Sequence, residues 1–230
     1  MTGTLPPRPL ALESSLGARF IALATTLGAS PAAAHIWADT VIQRYKEPQR
    51  HYHTLEHIAT MFRCLDACRA MLRDEAGVAL AIFFHDMVYD PRRADNEHES
   101  VSVFEEFAAS VGLAKGMTGK VVGFIERTVT HTLPGGEGEG DLELFLDFDL
   151  EVLARPNEEY EVYEEDEYRK GRVGVLGGFL ERERLYLSEK FYVEKEEAAR
   201  RNLRAEIERL EQLRSEKTNQ TIGRMKQSAL

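Results

Sequence analysis

Three short stretches concentrate side chains able to do chemistry. RHYHTLEHI carries His51, His53 and His57, three of the chain's seven histidines. LAIFFHD ends an apolar run on His85 followed directly by Asp86, and FLDFDL sets Asp147 and Asp149 among phenylalanines and leucines. A histidine and an aspartate at the end of a nearly all-apolar helix would cost on the order of several kcal/mol of desolvation if left unpaired. They require a cation or a hydrogen-bond network. A divalent metal satisfies both at once, because neutral imidazole and carboxylate are ordinary nitrogen and oxygen ligands for such ions. Asp147 and Asp149 are two apart, so on a helix they diverge by about 200° and one of them reaches a given ion.

These groups need elements to position them, and the chain reads as helices. Ser30-Pro31 has the form of an N-cap followed by Pro at the first helical position, predicting a helix over 31–46. A second begins after Thr54, with Leu55, Ile58, Met61, Phe62 and Leu65 on one side. With Thr54 as N-cap, His53 falls just outside the helix; if the helix already includes 53, His53 and His57 share a face. A third, from about Glu75 through VALAIFFHDMV, is apolar nearly all round and predicts the central buried helix. Further helices are expected at 95–112, 117–131 and 142–154, a weak one at 158–164, and two more at 168–186 and 194–214. No alternating strand run is present, so the fold class is all-α, a helical bundle.

Composition sets the outer limits. The 230 residues, 43% hydrophobic, suffice for one substantial core, and 29 Lys and Arg against 39 Asp and Glu give a formal charge of −10. That balance disfavours long nucleic acid and anionic membranes as partners. The absence of an apolar run of about 18 residues and of a signal-peptide pattern leads to the expectation of a cytoplasmic protein. Cys64 and Cys68, the only cysteines, exclude a disulfide framework and read as helix-packing thiols. GGEGEGD at 135–141 suits a mobile surface loop, and the acidic run at 158–168 a solvated face. DFDLEVLARPNE places acidic residues as a calcium loop would, but Val152 stands where that loop needs Gly, which rejects it.

His57, the His85-Asp86 doublet and Asp149 resemble the H…HD…D signature of the HD superfamily of metal-dependent phosphohydrolases. YHTLEHI, FFHDMVYDPRRADNEHES, FLDFDL, GRVGVLGGFLERERLY and ARRNLRAEIERL are similar to a poorly characterised branch of that superfamily, over residues 35–213. The segment EEDEYRK before Gly171-Arg172 is compressed relative to that branch. The resemblance implies an all-α HD-type domain over 31–215. Residues 1–30 then form an extension with a first helix packed on the core, and 216–230 a frayed tail. It implies one divalent ion (Mn, Fe, Co, Ni, Zn or Mg) held by His57, His85, Asp86 and Asp149. Asp149 is preferred to Asp147 because it directly precedes Leu150, as in the ending of that motif.

From that ligand set follows an expected activity, hydrolysis of a small phosphorylated molecule, a nucleotide in the first instance, by metal-activated water. Asp86 is expected to ligate and to accept the water's proton, with His53 and Glu56 as further catalytic candidates. Arg50, Arg92 and Arg93 are the candidates for clamping phosphate, and Asn96 and His131 for lining the substrate, with Glu97 beside them. His131 alone between the doublet and Asp149 is thin support for a second ion, so one is expected. A competing expectation is a catalytically silent nucleotide-sensing or partner-binding module. A diiron oxygenase would need further ligands that are not found at matching spacing. The amphipathic helix at 194–214 leaves a homo-oligomer open.

Overall fold

The computed structural model describes residues 8–50, 52–133, 140–155 and 166–227. Among them every regular element is a helix, and no helix is long and apolar enough to cross a membrane. The chain divides into two compact units, Met1–Asp149 and Leu150–Leu230, with the boundary inside the expected HD-type domain.

The N-terminal unit holds α1 (Arg8–Thr26), α2 (Pro31–Arg44), α3 (Leu55–Cys68), α4 (Glu75–Phe84), α5 (Asn96–Val111), α6 (Lys115–Arg127) and α7 (Asp141–Asp149). As the sequence predicts, α4 is the centre: every residue from Gly77 to Phe84 is buried, and α1, α3, α5, α6 and α7 all pack on it. Phe84 touches the rings of Phe104 and Phe107 at centroid separations of 5.2 and 5.1 Å, and Phe83 those of Phe20 and Phe62 at 5.1 and 4.6 Å. Each such ring contributes roughly 1.5–3 kcal/mol by burial. Ser30 caps α2 by accepting from the Ala33 N–H, and α5 ends on left-handed Gly112 (φ 66°).

The start of α4 is locked from two directions. Asp74 accepts the Gly77 N–H at 3.0 Å, and a Cβ at Gly77 would lie 2.8 Å from its carboxylate, so a larger residue there would push the carboxylate aside. Asp141 in turn accepts from the main-chain N–H groups of Arg73 and Asp74 at 2.8 and 3.0 Å, while Lys120 bridges Asp74 and Asp141 at 3.0 Å each. The expected surface loop at 135–141 does not extend to Asp141. That residue is instead buried, because its carboxylate satisfies two helix-entry N–H groups that have no other acceptor in the ladder. The rest of that glycine-rich stretch, 134–139, lies outside the described residues.

The C-terminal unit holds a 3₁₀ turn (Leu150–Ala154), α8 (Asp166–Leu180) and α9 (Glu189–Gln227). Asn202 on α9 donates to the Leu153 and Arg155 carbonyls, and Lys195 pairs with Glu151 at 3.0 Å. α8 stops at Leu180 rather than running to 186. Arg200 takes the carbonyls of Leu180, Arg182 and Glu183, and Glu196 takes the N–H groups of Leu185 and Tyr186, so this stretch is held by side chains of α9. α9 extends beyond both expected ends, through the region read as a frayed tail. The weak helix expected at 158–164 lies outside the described residues.

Candidate metal centre

Four elements of the N-terminal unit deliver the candidate ligands. Thr54 adopts an extended backbone ahead of α3, so the helix begins at Leu55 and His53 stands before it. His57 then lies on the same buried face as Ile58, Met61 and Leu65. α4 gives out at Phe84, leaving His85 as its C-cap, with the His85 N–H still on the Ala81 carbonyl. Asp86 follows in the turn. Asp149 is the last residue of α7.

Their polar atoms converge. His57 Nε2 lies 3.2 Å from His85 Nε2, 3.1 Å from Asp149 Oδ1 and 3.7 Å from Asp86 Oδ2. His85 Nε2 lies 3.0 Å from Asp86 Oδ2 and 3.6 Å from Asp149 Oδ1. His57, His85 and Asp149 thus form a group that could hold a metal ion. For metal–ligand distances of about 2.1 Å, neighbouring donors stand roughly 3.0 Å apart in octahedral and roughly 3.4 Å apart in tetrahedral geometry. The observed spacings fall around both values.

Partners on the far side of each ring fix how the imidazoles present themselves. His85 Nδ1 donates to the Ile82 carbonyl at 3.1 Å; a carbonyl only accepts, so the neutral ring carries its proton on Nδ1 and presents a bare lone pair at Nε2. Tyr52 Oη shares a hydrogen bond with His57 Nδ1 at 3.0 Å, again leaving Nε2 to face inward. Asp86 Oδ2 is buried and pairs with His85 Nε2 at 3.0 Å without a well-aligned hydrogen bond.

Electrostatics follow the same geometry. Burial alone depresses the His85 pKa, but the Asp86 and Asp149 carboxylates outweigh it and hold it well above the usual imidazole value. Burial pushes Asp86 up, yet His85 and His53 keep its carboxyl below the usual range. Asp149 is also raised by burial and lowered further by hydrogen bonds from His131, His57 and His85, ending well below that range. Two ionised carboxylates therefore sit against imidazoles with little access to water.

The chain matches no protein-family model, curated protein or solved structure.

Other sequence candidates fall in unequal places. It is Asp149, at the end of α7, whose carboxylate reaches the imidazoles, while Asp147 is fully buried. His53 borders the site, its ring 4.5 Å from that of Tyr89 and its Nε2 3.9 Å from Asp86 Oδ2; burial lowers its pKa. His131 reaches Asp149 rather than standing on a helix, since α6 ends at Arg127 instead of 131. Glu56, next to His57 on α3, is turned about 100° away and is exposed, so it is not in the group.

Of the three arginines expected to clamp phosphate, Arg50 is committed to the protein interior. The Arg50 side chain is fully buried and donates to the carbonyls of His53, Asp86 and Met87 and to Glu47, between the rings of Tyr45 and Tyr89. It holds the walls of the site and has no face for a substrate. Arg92 is engaged by Asp90, and Arg93 by Asp95 and Glu99. Asn96 accepts the Asp90 N–H and donates to the Asp90 carbonyl, which pins this loop. Glu97 is half-buried in the first turn of α5, and His51 lies outside the described residues.

Tyr52 and Ser100 were not singled out. Buried Ser100 accepts the Val88 N–H at 3.0 Å and so holds the turn after Asp86. Neither has a spacing signal; Tyr52 could have been suspected only from its place beside the histidine cluster.

Proposed function

We propose that the chain is an HD-type metal-dependent phosphohydrolase acting on a small phosphorylated substrate, a nucleotide in the first instance. The observation that carries the reading is the convergence of two imidazole Nε2 atoms with the Asp86 and Asp149 carboxylate oxygens at 3.0–3.7 Å in a buried cluster. Two buried carboxylates set side by side are costly unless cationic charge, from the imidazoles or from an ion, offsets them. In this reading His57, His85, Asp86 and Asp149 hold one divalent ion. Bound there, the ion supplies Lewis acidity, lowering the pKa of a water and offsetting charge on the phosphoryl group.

The protein's own groups supply the rest. Tyr52 and the Ile82 carbonyl keep both Nε2 atoms aimed inward, and Arg50 ties the turn carrying Asp86 to the strand of chain before α3. Asp86 would accept the water's proton at its carboxylate. His53, 30% exposed at the edge of the group, would be open to a bound substrate. With Arg50 committed internally, a substrate phosphate would depend on the ion for charge compensation, which fits a small ester better than a polyanion.

The test is metal analysis of purified protein together with hydrolysis assays on nucleoside mono- and triphosphates, cyclic dinucleotides and a generic phosphomonoester. One stoichiometric ion, with activity abolished in folded Asp86→Asn, is the expected result. A folded, metal-loaded protein inactive on the whole panel would point instead to a nucleotide-sensing or partner-binding module.

A further inference from the structure

Among the described residues His131 is the one non-glycine residue with a left-handed backbone, at φ 49°. Its N–H donates to the Arg127 carbonyl at 2.7 Å, closing the turn that follows α6. At this kind of helix end the left-handed residue is usually glycine, because a Cβ is disfavoured there. A histidine kept in that conformation calls for a compensating role, and the ring shows where it goes: Nε2 lies 2.9 Å from Asp149 Oδ2, with the side chain only 13% exposed. The other oxygen of the same carboxylate, Oδ1, faces His57 and His85 at 3.1 and 3.6 Å. The Asp149 carboxylate is therefore gripped on one oxygen and presented on the other. Stacking of Phe124 on Phe145, centroids 5.7 Å apart and rings 17° from parallel, keeps α6 and α7 in register for that grip.

We infer that His131 is a positioning residue: it orients Asp149 toward the imidazoles, rather than binding substrate or a second ion, and its strained backbone is retained for that purpose. The inference rests on the proposed metal centre. A carboxylate ligand held by a hydrogen bond on its outer oxygen loses fewer rotamers on binding a cation, and removing such a partner typically lowers metal affinity about 10- to 100-fold.

The experiment compares wild type, His131→Gly and His131→Gln. Each is stripped of metal, melted without metal, and titrated with Mn²⁺ by calorimetry, with the Co²⁺ absorption spectrum as an independent readout. Glycine relieves the backbone strain and removes the donor. Strain relief and the lost hydrogen bond oppose each other, so His131→Gly is expected to melt metal-free within a few degrees of wild type, yet to bind Mn²⁺ about 10- to 100-fold more weakly and to change the Co²⁺ bands. His131→Gln, which restores an N–H near the Nε2 position, is expected to recover most of the affinity and the spectrum. Wild-type Mn²⁺ affinity in His131→Gly overturns the inference, whether or not a substrate KM rises. So does a metal-free His131→Gly that melts well below wild type, since His131 would then be a structural residue. Failure of the wild-type protein itself to bind Mn²⁺ would remove the metal-centre reading, a distinct outcome read from the first titration.

Discussion

Arg50 donates to the main-chain carbonyl of Asp86 at 2.7 Å, so a residue expected to meet substrate instead anchors the turn that carries a candidate ligand. The same guanidinium serves the His53 and Met87 carbonyls. Each carbonyl left without its donor costs about 1–3 kcal/mol. Arg50→Met should therefore lower stability by about 3–5 kcal/mol, read from the urea midpoint. Arg50→Lys should recover less than half, because one ammonium cannot reproduce the planar fork. A loss below about 1 kcal/mol in Arg50→Met would contradict this role.

Tyr52→Phe removes the hydroxyl that engages His57 Nδ1. The ring remains to pack, so the metal-free melting temperature should move by no more than about 2 °C. Affinity for Mn²⁺ should fall roughly tenfold or more, because His57 loses the outer partner that holds its ring with Nε2 inward.

Chelation gives a third expectation. A ligand present at about 100 times its dissociation constant stabilises the folded state by about 2.7 kcal/mol. For a chain of this size that corresponds to about 5–10 °C in melting temperature, so scanning calorimetry of protein dialysed against EDTA and of Mn²⁺-reconstituted protein should differ by that amount. Identical melts would count against an ion at this site.

A pH effect is expected away from the site, at the entry to α4. Burial raises the Asp74 pKa, but the Gly77 N–H and the Lys120 ammonium more than offset this and leave it below the usual carboxylate value. A depressed folded pKa stabilises above the unfolded value, near 4, and that stability is lost as pH falls through the folded one. Asp74→Asn should thus be less stable than wild type at pH 7, with the gap closing below about pH 4 in urea titrations. Burial lowers Lys120, whereas Asp141 and Asp74 raise it to a net upward shift, so its contribution is present at neutral pH and fades only as pH rises through its folded value.

The central helix and the metal-ligand candidates were readable because burial and polarity conflict there. A His-Asp doublet closing a run as apolar as LAIFF has few physical solutions, and Asp149 among phenylalanines poses the same problem. Arg50 was misread because its partners are main-chain carbonyls, one of them 37 residues away, and no side-chain pattern announces a carbonyl. Asp141 was hidden by the glycines before it, and the turn that aims His131 by a backbone conformation histidine seldom adopts. The length of α9 was missed for a different reason. Its ends carry few periodic apolar residues, and at the N-terminal end the i,i+4 pair Lys190–Glu194 extends the helix where hydrophobic periodicity is weak.

Asp149 is the final residue of the N-terminal unit, and His57, His85 and Asp86 all precede it. A chain made from its N-terminus outward therefore displays both imidazoles and Asp86 well before the second carboxylate exists. Until α7 has been synthesised and docked on α3 and α4, the nascent polypeptide offers an incomplete and weaker set of donors. The order of synthesis thus leaves the candidate donor group incomplete until α7 has docked.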